Sequence, residues 1–232
     1  MPVLTPSDLD DFARDGFVRV SGAIEPEVAA RCAAAVFDAL PEQPDDPASW
    51  SSPVVRPTVH SLDMVEAARS ARLVGAIHEL VGPDAVLPAT VGASLVVRFP
   101  VEGDPGDDGW HLDGSFAGPD GGYWVDRRSR GRLLVLLVLL TDTGEQDAPT
   151  RLRAGSHHLM PDALAPYGDE GVNVMELRLP PEVDELPVRL ATGAAGDVYL
   201  CHPFLVHAAQ RHRGTTPRVL SQPGVVTAPW PG

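Results

Sequence analysis

The sequence predicts a mainly β protein, a sandwich or jelly-roll barrel with helices of its N-terminal part packed outside. Three observations lead there. Short strand-like segments recur after Gly82, separated by Gly-, Pro- and Asp-rich turns. Gly and Pro number 22 and 24 of 232 residues, which favours turns and short strands over a helical bundle. The run Leu133 to Leu140 is apolar throughout, as a central strand buried on both faces must be.

The elements follow in order. Thr5 caps a helix that Pro6 and Asp8 suit at its positive end, Leu9 and Phe12 give it an apolar face, and Gly16 stops it. Phe17 to Val20 reads as a strand. A second helix covers about Glu25 to Leu40, where Val28, Cys32, Val36 and Leu40 recur every four residues. Pro41 to Pro57 reads as a loop or lid. A third helix spans about Met64 to Val81, and Gly82 ends it. Beyond it, Val86-Leu87 and Ala93 to Phe99 are strand-like, Val101 to Gly109 is a loop, and Gly114 to Arg132 is a Gly-rich connection. After the central strand come a polar turn (142–149), a short strand (150–153), a tight turn at Ala154 to His157 and an irregular Pro-rich stretch (159–187). Val188 to Ala191, Gly196 to Pro203 and Val219 to Thr227 are the last strands. No repeat, heptad or linker divides the chain.

Composition narrows the function. A net charge of −14 argues against a nucleic-acid partner, because phosphate neutralisation needs a basic face. The longest apolar run is far short of a membrane span, and the first residues have no basic-then-apolar leader pattern. Cys32 and Cys201 lack a C-x-x-C partner and read as buried thiols in a reducing compartment, so the expected location is the cytoplasm.

The chemistry gathers at Trp110-His111-Leu112-Asp113. In a strand, residues i and i+2 share a face, so the His111 imidazole and the Asp113 carboxylate can meet one ion. The triplet alone recurs often by chance, and a third ligand is needed. Two histidines and one carboxylate leave three octahedral positions open, the usual set of non-haem Fe(II) oxygenases. His202 and His207 fit that third place equally by periodicity, whereas His212, between Arg211 and Arg213, reads as surface. Arg218 opens an apolar strand, so its head points into the barrel. A guanidinium there needs a carboxylate partner, which a structural ion pair or a carboxylate-bearing cosubstrate would supply. His78, His157 and His158 read as ordinary surface, core or turn histidines, and Trp110 and Trp124 as packing groups.

His111-x-Asp113, His207 and Arg218 eleven residues later together resemble the phytanoyl-CoA dioxygenase family of Fe(II)/2-oxoglutarate oxygenases. Asp15-Gly16-Phe17-Val18, Val96-Val97-Arg98-Phe99-Pro100 and Ala148 to His157 resemble further segments of that family, so the likeness covers nearly the whole chain. The resemblance implies a double-stranded β-helix, the cupin-like jelly-roll barrel. It implies one domain over residues 1–232, about 1–82 as helical support and 83–232 as core. It implies Fe(II) on His111, Asp113 and His207, with 2-oxoglutarate and O2 as cosubstrates and Arg218 clamping the distal carboxylate of 2-oxoglutarate. Arg56, Ser94 and Thr150 fall near other cosubstrate contacts. The implied reaction hydroxylates a small-molecule substrate with release of succinate and CO2. Desaturation, epoxidation or cyclisation would use the same site. The presence of Asp113 disfavours halogenation, since related halogenases have a small residue there. Two positions depart from the family pattern: Ala209, where some members have a hydroxyl, and Leu112, where Gln is common. A cupin-like binding protein without turnover, and a metal enzyme using no 2-oxoglutarate, are the alternatives. Substrate identity and oligomeric state are not legible.

Overall fold

Capping chemistry sets the first helix. In the computed structural model, which describes residues 2–227, α1 (Pro6–Asp15) begins at Thr5. The Thr5 hydroxyl accepts the Asp8 amide and the Asp8 carboxylate accepts the Thr5 amide, a reciprocal capping box. The helix ends at Gly16, left-handed at φ +84°. Met1 and residues 228–232, the ends of the expected 1–232 span, lie outside the described residues.

β1 (Phe17–Val20) and α2 (Pro26–Asp38) match the pattern, with α2 burying Val28, Ala29, Cys32, Ala33, Val36 and Phe37. The expected loop 41–57 also contains β2 (Val54–Val55), which pairs antiparallel with β3 (Leu95–Arg98). The single helix expected over 64–81 is two, α3 (Leu62–Ala68) and α4 (Ala71–Val81). The chain breaks at Arg69-Ser70, where the Ser70 hydroxyl donates to the Ala23 carbonyl at 2.5 Å. Such side-chain bonds to backbone compete with helix continuation, and apolar periodicity does not register them.

The 114–132 connection folds into a hairpin of β4 (Phe116–Ala117) and β5 (Tyr123–Val125). β6 (Leu134–Leu139), the central strand, and β7 (Arg151–Arg153) follow. The stretch 159–187, irregular by composition, holds α5 (Met160–Leu164) and β8 (Val172–Asn173), which pairs with β5. The remaining strands are β9 (Val188–Leu190), β10 (Val198–Cys201), β11 (His207–Ala208), β12 (Arg218–Ser221) and β13 (Gly224–Val225).

The large sheet runs β1-β10-β6-β12-β3-β2, with β13 also on β6. A smaller sheet runs β11-β7-β9 and is lengthened by a bridge between His111 and His207. The chain passes between the two sheets repeatedly, in the order β3, residue 111, β6, β7, β9, β10, β11, β12. That is a jelly-roll path. The sheets face each other without closing into one hydrogen-bonded barrel, so the expected barrel is a two-layer double-stranded β-helix.

β6 shows why. Leu134, Leu136 and Val138 pack on the helices, while Val135, Leu137 and Leu139 pack with Leu152, Ala191 and Tyr199 toward the smaller sheet. Both faces of β6 are covered, hence the unbroken apolar run. β1 and β2, from the helix-rich first 82 residues, complete the edges of the large sheet. Both cysteines are free and buried. Among the described residues no helix is long and apolar enough to cross a membrane.

Candidate functional site

The Trp110–Asp113 stretch is not a regular strand. It makes one antiparallel bridge, with the His111 and His207 amides each bonding the other's carbonyl at 3.0 Å. Side-chain packing replaces the missing ladder. Trp110 lies under the guanidinium groups of Arg151 and Arg153, 4.7 and 4.4 Å from its rings. Arg151 also donates to the carbonyls of Asp108 and Ala209, tying this loop to the end of β11. Directly after the motif, a Cβ on Gly114 would stand 2.5 Å from Tyr123, so only glycine lets the β5 hairpin approach.

These constraints bring His111, Asp113 and His207 together, each with a ligand atom within 4.8 Å of the others'. Asp113 Oδ1 is 3.8 Å from His207 Nε2. Both histidines direct Nδ1 at a backbone carbonyl two residues back, His111 to Gly109 at 2.8 Å and His207 to Leu205 at 3.0 Å. Donation to a carbonyl requires the proton on Nδ1, which leaves Nε2 with a free lone pair. His207 Nε2 is buried with no hydrogen-bond partner among the described residues. Burial pushes the His207 pKa down; nearby Asp113 opposes this. The ring is therefore neutral near pH 7, the state that can donate to a metal. Two imidazole nitrogens and a carboxylate oxygen suit a divalent cation such as iron.

His202, equally placed by periodicity, is not in the cluster. Its ring packs with Phe12, His157 and Phe204, its Nδ1 accepts the Phe204 amide, and burial lowers its pKa to about 4. His212 is not a surface residue: it is half-buried, with Nδ1 accepting the Gly214 amide. The Arg213 amide bonds Gln146 O, which folds the turn back onto the protein despite its two arginines. His157 does bond backbone, at Ala13 O.

Beside the cluster lies a cavity of about 170 Å³ lined by Arg56, Asp107, Thr150, Arg218 and Gln222 together with the three candidate ligands. Arg218 is 2% exposed and opposes Arg98, 3% exposed, across the β12–β3 register. Two buried cations side by side demand an anion. Asp107 meets Arg98 at 2.7 Å and also pairs with Arg56. Arg218 has only the Ala148 carbonyl, at 2.6 Å, and its Nε has no partner among the described residues. No carboxylate there lies within ion-pair distance of it, so a structural ion pair does not account for its burial. Desolvation, then repulsion from Arg98, brings the Arg218 pKa down to about 9.

A larger opening of about 560 Å³ adjoins the cluster, lined by Arg56, Ser94, Tyr123, Arg132 and Gln222 among others. Thr150 is buried on the small cavity, Arg56 borders both, and Ser94 lines the larger one only. Sequence reasoning missed Arg98, Asp107, Arg132 and Gln222. The Val96 to Pro100 motif contained Arg98 without marking it out. Asp107 sits in an acidic loop with no pattern.

A sequence model of the phytanoyl-CoA dioxygenase (PhyH) family matches residues 12–220. Among curated proteins, none matches the chain at a significant level. Solved structures share the fold at low identity. The epimerase SnoN, in complex with Fe3+, alpha ketoglutarate and nogalamycin RO, is 22% identical with a TM-score of 0.60, over 96% of this chain and 83% of that one. HygX from Streptomyces hygroscopicus, with nickel, 2-oxoglutarate and hygromycin B bound, is 18% identical with a TM-score of 0.61, over 98% and 89%. The alpha ketoglutarate-dependent carbocyclase SnoK of nogalamycin biosynthesis is 17% identical with a TM-score of 0.63, over 97% and 85%.

Proposed function

The chain belongs to the phytanoyl-CoA dioxygenase family, and from that premise we propose that it is a non-haem Fe(II)/2-oxoglutarate-dependent dioxygenase that hydroxylates a small-molecule metabolite. His111, Asp113 and His207 hold the iron. Arg218 takes the distal carboxylate of 2-oxoglutarate in the smaller cavity, with Thr150 and Arg56 at its walls, and Ser94 faces the substrate side. The observation that carries the reading is the pairing of two orphaned buried atoms, His207 Nε2 and Arg218 Nε, around one cavity. One lacks a Lewis acid and the other an anion. Iron and 2-oxoglutarate together supply both.

When bound at these residues, iron and 2-oxoglutarate would supply an O2-dependent oxidation with release of succinate and CO2, one oxygen atom of O2 ending in succinate and the other in the hydroxylated product. The chain's own groups bind and orient. The carbonyls of Gly109 and Leu205 fix the imidazole tautomers. The buried Arg218 selects a dianion of the right length. The larger cavity is of small-molecule size. The names epimerase and carbocyclase attached to SnoN and SnoK support a second reading, inversion or ring closure after the same hydrogen removal. Two buried free thiols support a reducing, cytoplasmic setting.

The test is succinate release from 2-oxoglutarate with Fe(II), ascorbate and O2, with and without a panel of natural-product substrates. The wild type forms succinate, and His207→Ala and Asp113→Ala form none. Wild-type rates in His207→Ala would overturn the ligand assignment. Stabilisation by 2-oxoglutarate without succinate would favour a cupin-like binding protein. Metal-dependent turnover indifferent to 2-oxoglutarate would favour the remaining alternative.

A further inference from the structure

The two oxygens of Asp113 face different partners. Oδ1 lies toward His207, whereas Oδ2 meets Arg132 Nη1 at 3.3 Å. The turn carrying Arg132 is built to hold it there. The Arg132 amide bonds Ser129 O and the Ser129 hydroxyl bonds Arg132 O, both at 3.1 Å. Gly131 is left-handed at φ +87°, and a Cβ on it would stand 2.9 Å from Ser115 O, two residues beyond Asp113. The turn is thus pressed against the end of the motif. The Arg132 side chain is 21% exposed, lines the larger cavity, and has no other carboxylate within ion-pair distance among the described residues.

We propose that Arg132 is a positioning residue that keeps Asp113 a one-oxygen ligand, leaving the coordination positions that 2-oxoglutarate and O2 need. This rests on the iron-binding reading above. Three single-atom protein ligands leave three of six positions, two for the chelating cosubstrate and one for O2. A carboxylate is free to rotate and can bind through both oxygens. If it did, it would take one of those three places. An arginine on Oδ2 prevents this by holding that oxygen with a charge-assisted contact. Arg132 lines the larger cavity and is absent from the lining of the smaller one that holds Arg218, so it acts on the cosubstrate through Asp113 and not by touching its distal carboxylate.

The test measures Ni(II) affinity of the apo-protein, then 2-oxoglutarate affinity of the Ni(II)-loaded protein, by calorimetry. Wild type, Arg132→Ala and Arg132→Lys are compared, with melting temperature as the folding control. In Arg132→Ala the Ni(II) Kd stays within about threefold, because all three protein ligands remain, while the 2-oxoglutarate Kd rises about 10- to 100-fold, the size of effect that outer-shell partners have on metal-site affinity or activity, here falling on the cosubstrate positions. Arg132→Lys, which keeps one donor of similar reach, recovers part of the loss. The ratio between variant and wild type persists from about 0.05 to about 0.5 M NaCl, because a contact is less screened than a distant charge. A 2-oxoglutarate Kd within twofold of wild type in Arg132→Ala overturns the proposal. So does a difference that vanishes with salt, which marks a field effect. Failure of the wild type to bind Ni(II) removes the underlying metal site and this role with it. Wild-type binding with an unaffected Arg132→Ala removes the role alone.

Discussion

Replacing Arg218 by methionine should separate what the guanidinium does for the fold from what it does for the cosubstrate. Its surroundings, desolvation first and repulsion from Arg98 second, lower its pKa to about 9, so the folded protein holds this charge at a cost on the order of a few kcal/mol. The folded pKa is depressed, so the penalty is present in full at pH 7. Against this stands one hydrogen bond to Ala148 O at 2.6 Å, worth about 1–3 kcal/mol when its loss orphans a buried carbonyl. Methionine fills similar space without the charge. The metal-free variant should thus be no less stable than wild type, as when other buried ions are replaced by apolar groups. Cosubstrate binding should collapse, because truncating one member of a buried charge pair costs about 2–5 kcal/mol, or about 30- to 4,000-fold in Kd. The assay is thermal unfolding with and without 2-oxoglutarate, plus calorimetry on the Ni(II)-loaded protein. A variant that melts earlier than wild type yet binds 2-oxoglutarate within threefold would make Arg218 a structural group and exclude it as the cosubstrate clamp.

Two further predictions concern the fold. His202 is held near pKa 4 by burial and by the neighbouring His157 and His158 rings, with Phe12 and Phe204 also against it. The unfolded chain binds this proton from about 6.5, so stability should fall by about 2–3 kcal/mol between pH 6.5 and 4. Denaturant titrations across that interval check it, and a His202→Leu variant with an unchanged slope would contradict it. Gly16→Ala forces a Cβ into left-handed backbone and to within 2.5 Å of His157 Nδ1. The expected cost is about 2–4 kcal/mol, seen as a melting temperature lower by roughly 4–16 °C; a drop below about 2 °C would show that the α1 end yields freely.

Elements whose cause is local are legible in the sequence. The Thr5 cap, Pro6 and Gly16 define α1 through groups within one turn of each other. The unbroken apolar run of β6 announces a strand covered on both sides. Breaks made by distant partners were not legible. Ser70 reaches Ala23 across the fold, and β2 and β8 become strands only because β3 and β5 lie beside them. The same division holds at the site. His111 and Asp113 are two residues apart and stand out, although a bridge to His207 and the Trp110 stack, not a strand pleat, bring them together. Arg218 stands out because a cation beginning an apolar strand is anomalous. Asp107 and Arg132 carry no local anomaly. Their roles follow from loops folding back on Arg98 and Asp113, contacts that no spacing rule encodes.

The proposed function requires that Fe(II) and 2-oxoglutarate bind together at one cavity. The measurement is an anaerobic titration of the apo-protein with Fe(II) and then 2-oxoglutarate, followed by visible absorption. A weak charge-transfer band that needs both additions, and is lost in His207→Ala, is the predicted result. Fe(II) binding, shown independently, with no band on adding 2-oxoglutarate would contradict it.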